Sequence, residues 1–121
     1  MKPAPFTYHD PTTADEAVAL LAAHADAQIL AGGQSLMPML NMRFVVPDHV
    51  IDLNRIEGIA GIRDGGDSVE IGSMTRQRDL MRDDVIAVKA PIIPAALHLV
   101  GHFQPRNRGT SGGSLCHPAP A

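Results

Sequence analysis

The 121-residue chain is short of several things at once, and each shortage excludes something. It has one cysteine, Cys116, so it closes no internal disulfide and cannot supply the thiolates of an iron–sulfur cluster. A single thiol points to a reducing compartment, here the cytoplasm. There is no tryptophan and only 3% of residues are aromatic, so the core must rest on Ala, Leu, Ile, Val and Met. No run of about 18 apolar residues occurs, so no membrane-spanning helix is expected. After Lys2 come Pro3, Pro5, His9 and Asp10 without an apolar stretch, which excludes a secretory signal. The formal charge of −3 leaves no electrostatic footprint for nucleic acid. No internal repeat and no low-complexity tract is visible. The apolar fraction of 45% excludes intrinsic disorder, and the length suffices for one domain with a real core.

Against these shortages stand two glycine pairs in small, polar sequence. One is Leu30-Ala31-Gly32-Gly33-Gln34-Ser35-Leu36, and the other is Gly109-Thr110-Ser111-Gly112-Gly113-Ser114-Leu115. Glycine lacks Cβ, so the backbone can take positive φ and come close to a ligand. Consecutive N–H groups in such a turn converge into a concave anion site. One loop of this kind means little. Two of them, about eighty residues apart, could grip a diphosphate from two sides, which suggests a dinucleotide cofactor. The first loop is not a P-loop, for it has no Gly-Lys-Ser/Thr, and it is not a GxGxxG fingerprint. Its donors are expected to be backbone N–H groups, the Ser35 hydroxyl and the start of the following helix. Arg106 and Arg108 beside the second pair fit a local phosphate site. The plainer reading of either loop is a tight turn or a solvated surface loop.

The surrounding pattern alternates strands and helices. Thr13 as N-cap with Glu16 three residues on predicts a capping box and a helix bearing Ala17, Leu20, Leu21 and His24 on one face. Ala27–Leu30 reads as a short strand ending at the first glycine pair. Ser35 reads as the N-cap of a short helix through Leu40. Val50–Leu53 is a further strand, so this half predicts a small parallel sheet with helices against it. The glycine pair then falls at the carboxyl end of a strand, the usual ligand edge of such sheets. In the second half, Gly58–Arg63 and Val69–Ile71 read as strands around an Asp64-Gly65-Gly66-Asp67 hairpin turn. Thr75 is expected to cap a helix through Met81. Pro91–Val100 is expected to be another helix, with Gly101 as its stop. The chain then stops soon after the second loop, which reads as a fragment of a longer protein.

Taken together, the loops resemble those of a known family. Ala31 through Leu40 is similar to the first flavin motif of the FAD-binding medium subunits of molybdenum hydroxylases, the carbon monoxide dehydrogenase and xanthine dehydrogenase group. Arg106 through Leu115 is similar to their second motif. The opening Pro5 to Tyr8, the Ile51-Asp52-Leu53-Asn54 segment and Ile71-Gly72-Ser73-Met74-Thr75 also match. The resemblance implies an α/β fold, the two-lobed FAD-binding domain, with residues 1–56 as its small lobe and 57–121 as the first part of its second lobe. It implies that Leu30, Ala31, Gly32, Gly33, Gln34, Ser35 and Leu36, with Thr110, Ser111, Gly112, Gly113 and Ser114, hold FAD. It implies a hetero-oligomer with a molybdopterin-binding large subunit and a [2Fe-2S] small subunit, in which FAD passes electrons to an acceptor. No residue of this chain is then needed for acid–base catalysis. Ser111 stands where the family pattern has Ile, so an apolar contact is expected to be lost. An acidic residue before the final Pro-Ala is missing as well.

Other readings compete. One is a truncated, non-catalytic remnant serving as an interaction module. Another is a stand-alone flavin oxidase, which needs a further domain downstream. His98, His102 and Cys116-His117 offer metal-ligand chemistry, but Gly101 is expected to end the helix between the first two, so no metal is assigned. His24 is read as a helix-end residue, Cys116 as a small packing residue, and Met37, Met39 and Met42 as core packing.

Overall fold

In a computed structural model of the chain, residues 1–99 and 107–116 are described. The chain divides into two compact units, Met1–Glu57 and Gly58–Ala121.

The first unit begins with a strand that the sequence does not advertise, β1 (Thr7–His9), and continues through α1 (Ala14–Ala23), β2 (Ala27–Leu30), α2 (Leu36–Asn41) and β3 (His49–Asp52). The three strands form one parallel sheet in the order β1-β3-β2. Thr7 stands opposite His49 on one side, and Ala27 opposite His49 on the other. The α/β class and the small parallel sheet are those expected.

Capping at α1 differs in one detail. Thr13 Oγ1 accepts from the Glu16 N–H at 3.1 Å, as expected. Glu16 Oε2, however, accepts from Thr12 N at 3.2 Å rather than from the cap residue itself. The long carboxylate reaches one residue further than the capping-box pattern requires.

Successive strand residues point to opposite faces, so burial of both Val50 (1% exposed) and Ile51 (0%) means that β3 is covered on both sides. Ala17, Leu40 and Ile56 complete this core. Each large apolar side chain buried there contributes about 1.5–3 kcal/mol. The methionines near the first glycine pair do not join it: Met37 and Met42 are exposed and Met39 half-buried. They lie on the outer side of a short helix whose inward residue is Leu40.

The second unit opens with a hairpin, β4 (Ile62–Asp64) and β5 (Val69–Ile71), paired antiparallel with Ile62 opposite Ile71. The Asp64–Asp67 turn is as read: Gly65 N–H donates to Ser68 O at 2.8 Å, and Gly66 N–H to Asp64 Oδ1 at 2.9 Å. The first strand starts at Ile62 rather than at Gly58, because Ile59 O and Gly61 O bond outside the ladder, to Met74 N and Gly72 N. Helices α3 (Gln77–Arg82), α4 (Asp84–Lys89), α5 (Ile92–Leu97) and α6 (Ser111–Cys116) follow. Met74, Leu80 and Ile86 are buried with three polar residues, Thr75, Gln77 and Thr110.

Thr75 does not cap α3. Its hydroxyl instead donates to Gly61 O (3.0 Å) and accepts from Gly61 N–H (2.9 Å). Helix α4 was not expected, although Asp83 caps it by accepting from Ile86 N–H at 3.0 Å. Val100, Gly101, His102, Arg106 and His117 lie outside the described residues. No helix among the described residues is long and apolar enough to cross a membrane.

Candidate functional site

The first glycine loop leaves β2 at its carboxyl end. Leu30 O accepts from Leu53 N–H at 3.0 Å, and Ala31 O accepts from the Asn54 amide at 2.8 Å, so the entry to the turn is held by residues just past β3. Gly33 then takes φ +80°, a conformation that L side chains rarely adopt. A Cβ there would also sit 3.2 Å from Met37 Cγ and 3.4 Å from Leu30 Cδ1. Gly33 O accepts from Met37 N–H and Ser35 O from Met39 N–H, which carries the loop into α2 at Leu36. Ser35 occupies the cap position expected, but its backbone is helical and its hydroxyl bonds no amide of the helix. Gln34 and Ser35 are exposed, and Gly32 is buried.

The useful property of this loop is what it leaves unspent. Among the described residues, no acceptor takes the N–H of Gly32, Gly33, Gln34 or Ser35. Consecutive amides of this kind are a donor set for an anion such as a phosphate. Of the four, Gly32 is buried, and a buried amide without a partner costs about 1–3 kcal/mol, so that position favours a ligand that accepts from it.

The second loop is built differently. Arg76 and Thr110 form an isolated antiparallel bridge, in which Gln77 N–H donates to Gly109 O (2.7 Å) and Ser111 N–H to Thr75 O (3.0 Å). Gly112 N–H donates to Ser73 O at 2.8 Å, and Gly113 N–H to Thr110 Oγ1 at 3.1 Å. The amides of Ser111, Gly112 and Gly113 are therefore engaged within the protein. Of the loop residues expected to offer backbone to a ligand, Thr110 alone has an N–H with no acceptor among the described residues. A Cβ on Gly112 would lie 2.9 Å from both Ser73 Cβ and Ser73 O, so this glycine permits a close backbone approach inside the protein. Ser111, where an apolar contact was expected to be lost, donates its hydroxyl to Gly72 O at 2.8 Å instead. Ser114 Oγ accepts from the Gln77 amide, and Arg76 donates to Arg108 O. Cys116, read as a packing residue, is exposed at the end of α6.

Two sets of contacts escaped the sequence reading, although Tyr8, the Asp52–Asn54 segment and His24 each figure in it. The first backs the open loop. Tyr8 donates its hydroxyl to Asp52, whose other oxygen accepts from the Asn54 N–H (2.9 Å) and side-chain amide (2.6 Å). The carboxylate partner pushes the Tyr8 pKa up to about 12. Tyr8 and Asp52 stand 44 residues apart, so no local pattern could have joined them.

The second group is a set of three imidazoles, His9 at the end of β1, His24 capping α1 and His49 opening β3. His9 Nε2 and His49 Nδ1 are 3.0 Å apart, and the His24 and His49 rings stack with centroids 3.7 Å apart. Desolvation, then the two neighbouring imidazoles, lower the His24 pKa.

The family described as "FAD binding domain in molybdopterin dehydrogenase" matches residues 4–121. The carbon monoxide dehydrogenase medium chain of Hydrogenophaga pseudoflava is 46% identical over 121 residues, covering 99% of this chain and 42% of that one. The caffeine dehydrogenase subunit beta of Pseudomonas sp. (strain CBB1) is 43% identical, over 100% of this chain and 41% of that one. Among solved structures, quinoline 2-oxidoreductase from Pseudomonas putida 86 superposes with a TM-score of 0.92 at 38% identity, covering 97% of this chain and 41% of that chain. The chain thus spans about two-fifths of the length of the relatives it matches. It belongs to the family of FAD-binding domains of molybdopterin dehydrogenases.

Proposed function

We propose that this chain contributes the pyrophosphate-binding backbone for FAD in the flavoprotein subunit of a molybdenum hydroxylase. The observation that carries the reading is the run of four amides, Gly32 to Ser35, with no protein acceptor among the described residues. Leu30, Ala31 and Leu36 frame that run, and Gly33 gives it its turn. Thr110, Ser111, Gly112, Gly113 and Ser114 form the second contribution, in which Thr110 offers its N–H and the glycines set the backbone path. Residues 1–56 act as the small lobe of the FAD-binding domain, and residues 57–121 as the first part of its second lobe.

FAD, when bound, supplies the redox chemistry that passes electrons on to an acceptor. The chain's own residues bind and orient it, and none of them is asked to transfer a proton. One cysteine cannot ligate a cluster, which supports placing the iron–sulfur centres outside these 121 residues. The same count supports a reducing, cytoplasmic setting.

The test is a visible absorption spectrum of the purified chain, before and after addition of FAD and desalting. The expected result is little or no flavin on the chain alone, flavin absorbance retained once it is extended to the full length of its relatives, and loss of that absorbance from the extended chain on Gly32→Asp, which places a carboxylate among the phosphate donors. A chain that stays colourless when extended to the full length of its relatives would sink the reading and leave the non-catalytic remnant in its place.

A further inference from the structure

Three histidines from three different elements of the first unit meet in space, and the flavin reading uses none of them. His9 and His49 sit on neighbouring parallel strands, and His24 ends the helix between β1 and β2. One ring nitrogen from each lies within 4.8 Å of the other two. All three residues are half-buried, so a solvated ion can reach them while the protein still fixes their positions.

We infer that His9, His24 and His49 form a binding site for a divalent transition-metal ion of the zinc class, with water completing the coordination. Neutral imidazole is the side chain best suited to such ions, and three histidines with an open fourth position is a known zinc arrangement. A zinc–nitrogen bond of about 2.0–2.1 Å in tetrahedral geometry puts the ligand nitrogens roughly 3.3 Å from one another. The His9–His49 pair is already near that value at 3.0 Å. Closing the widest pair from 4.8 Å asks for a movement of about 1.5 Å, which ring rotation at His24 supplies as it leaves its stack on His49. The hydrogen bond between His9 and His49 gives way to the metal, and the proton it held moves to the outer nitrogen of the same ring. The ion would tie the ends of β1 and α1 to the start of β3.

The test uses the chain without a histidine tag, purified without metal affinity, and titrated calorimetrically with zinc chloride. Cobalt chloride serves as the spectroscopic probe. One equivalent of zinc is expected to bind and raise the melting temperature, and cobalt is expected to give the absorption of a tetrahedral site. His9→Asn and His24→Asn are each expected to weaken zinc at least tenfold. His98→Asn, at an exposed histidine of the other unit, is expected to bind like the parent. His24 lies at a helix end, so its variant stays informative even where His49→Asn disturbs the strand. Absence of saturable binding by the folded parent overturns the site. So does parent-like zinc affinity in the His9 and His24 variants.

Discussion

The two glycine pairs look alike in sequence and do opposite things in the structure. Around Gly32-Gly33 the backbone turns through a positive φ and leaves four successive N–H groups without protein acceptors among the described residues. Around Gly112-Gly113 the N–H groups of Ser111, Gly112 and Gly113 are all engaged inside the second unit, and Gly112 packs against Ser73. One pair leaves its donors without acceptors among the described residues, and the other uses them to hold its own loop in place. A glycine-rich segment therefore signals close backbone approach, but not what is being approached.

The largest effect is expected where the loop is closed. Gly112→Ala sets a Cβ 2.9 Å from the Ser73 carbonyl oxygen, which cannot move aside as a flexible side chain would. A loss of about 3 kcal/mol is expected, the upper end for overpacking, read by denaturant unfolding. Hydrogen exchange should speed up at residues 72–77 and leave β3 unchanged. A variant as stable as the parent would abolish the distinction between the loops.

Gly33→Ala tests the open loop. Holding alanine at φ +80° costs about 1–2 kcal/mol, a smaller penalty than at Gly112. Its main readout is flavin, since an altered turn no longer aims the four amides together. FAD affinity should fall about tenfold, equivalent to about 1.4 kcal/mol. An unchanged affinity would show that the turn at Gly33 is incidental to binding.

Asn54→Ala sharpens the comparison from behind the loop. It removes the amide that holds Ala31 O at 2.8 Å, at an expected cost of about 1 kcal/mol, with a few-fold loss of FAD affinity. The second unit should be untouched, which separate unfolding probes can verify.

The smallest effect is spectroscopic. Tyr8 is the one tyrosine of the chain, so tyrosinate absorbance reports it without interference. Its ionisation is expected near pH 12, and Asp52→Asn should bring it back toward 10. Because the folded-state pKa is raised, the hydrogen bond to Asp52 contributes stability below about pH 10, and that contribution is lost as pH rises toward 12. A parent chain titrating near 10 would show that Tyr8 does not brace the loop.

Much of this was legible in contiguous residues. Ala27–Leu30 and Val69–Ile71 were read with their observed bounds, because a short apolar segment against a turn signal is local information. The Thr13 cap was read for the same reason. What failed was non-local. β1 has three residues, two of them exposed, and it is a strand only because His49–Asp52 lies beside it. Thr75 has the chemistry of a cap, but its hydroxyl is taken by Gly61, fourteen residues away. The donors of the two glycine pairs could not be told apart, because the acceptors that engage one of them, Ser73 and Thr75, lie more than thirty residues upstream. The three histidines are far apart in the chain and are joined by the sheet order and the end of α1.

That order, β1-β3-β2, also governs when the first unit can come into being during synthesis. The two strands made first are not neighbours, and each takes β3 as its partner. A nascent chain that has emerged as far as residue 48 therefore has no partner for either strand, and the first glycine turn lacks both of its holders, Leu53 and Asn54. Four residues, His49–Asp52, supply the partner for both earlier strands and so complete the sheet.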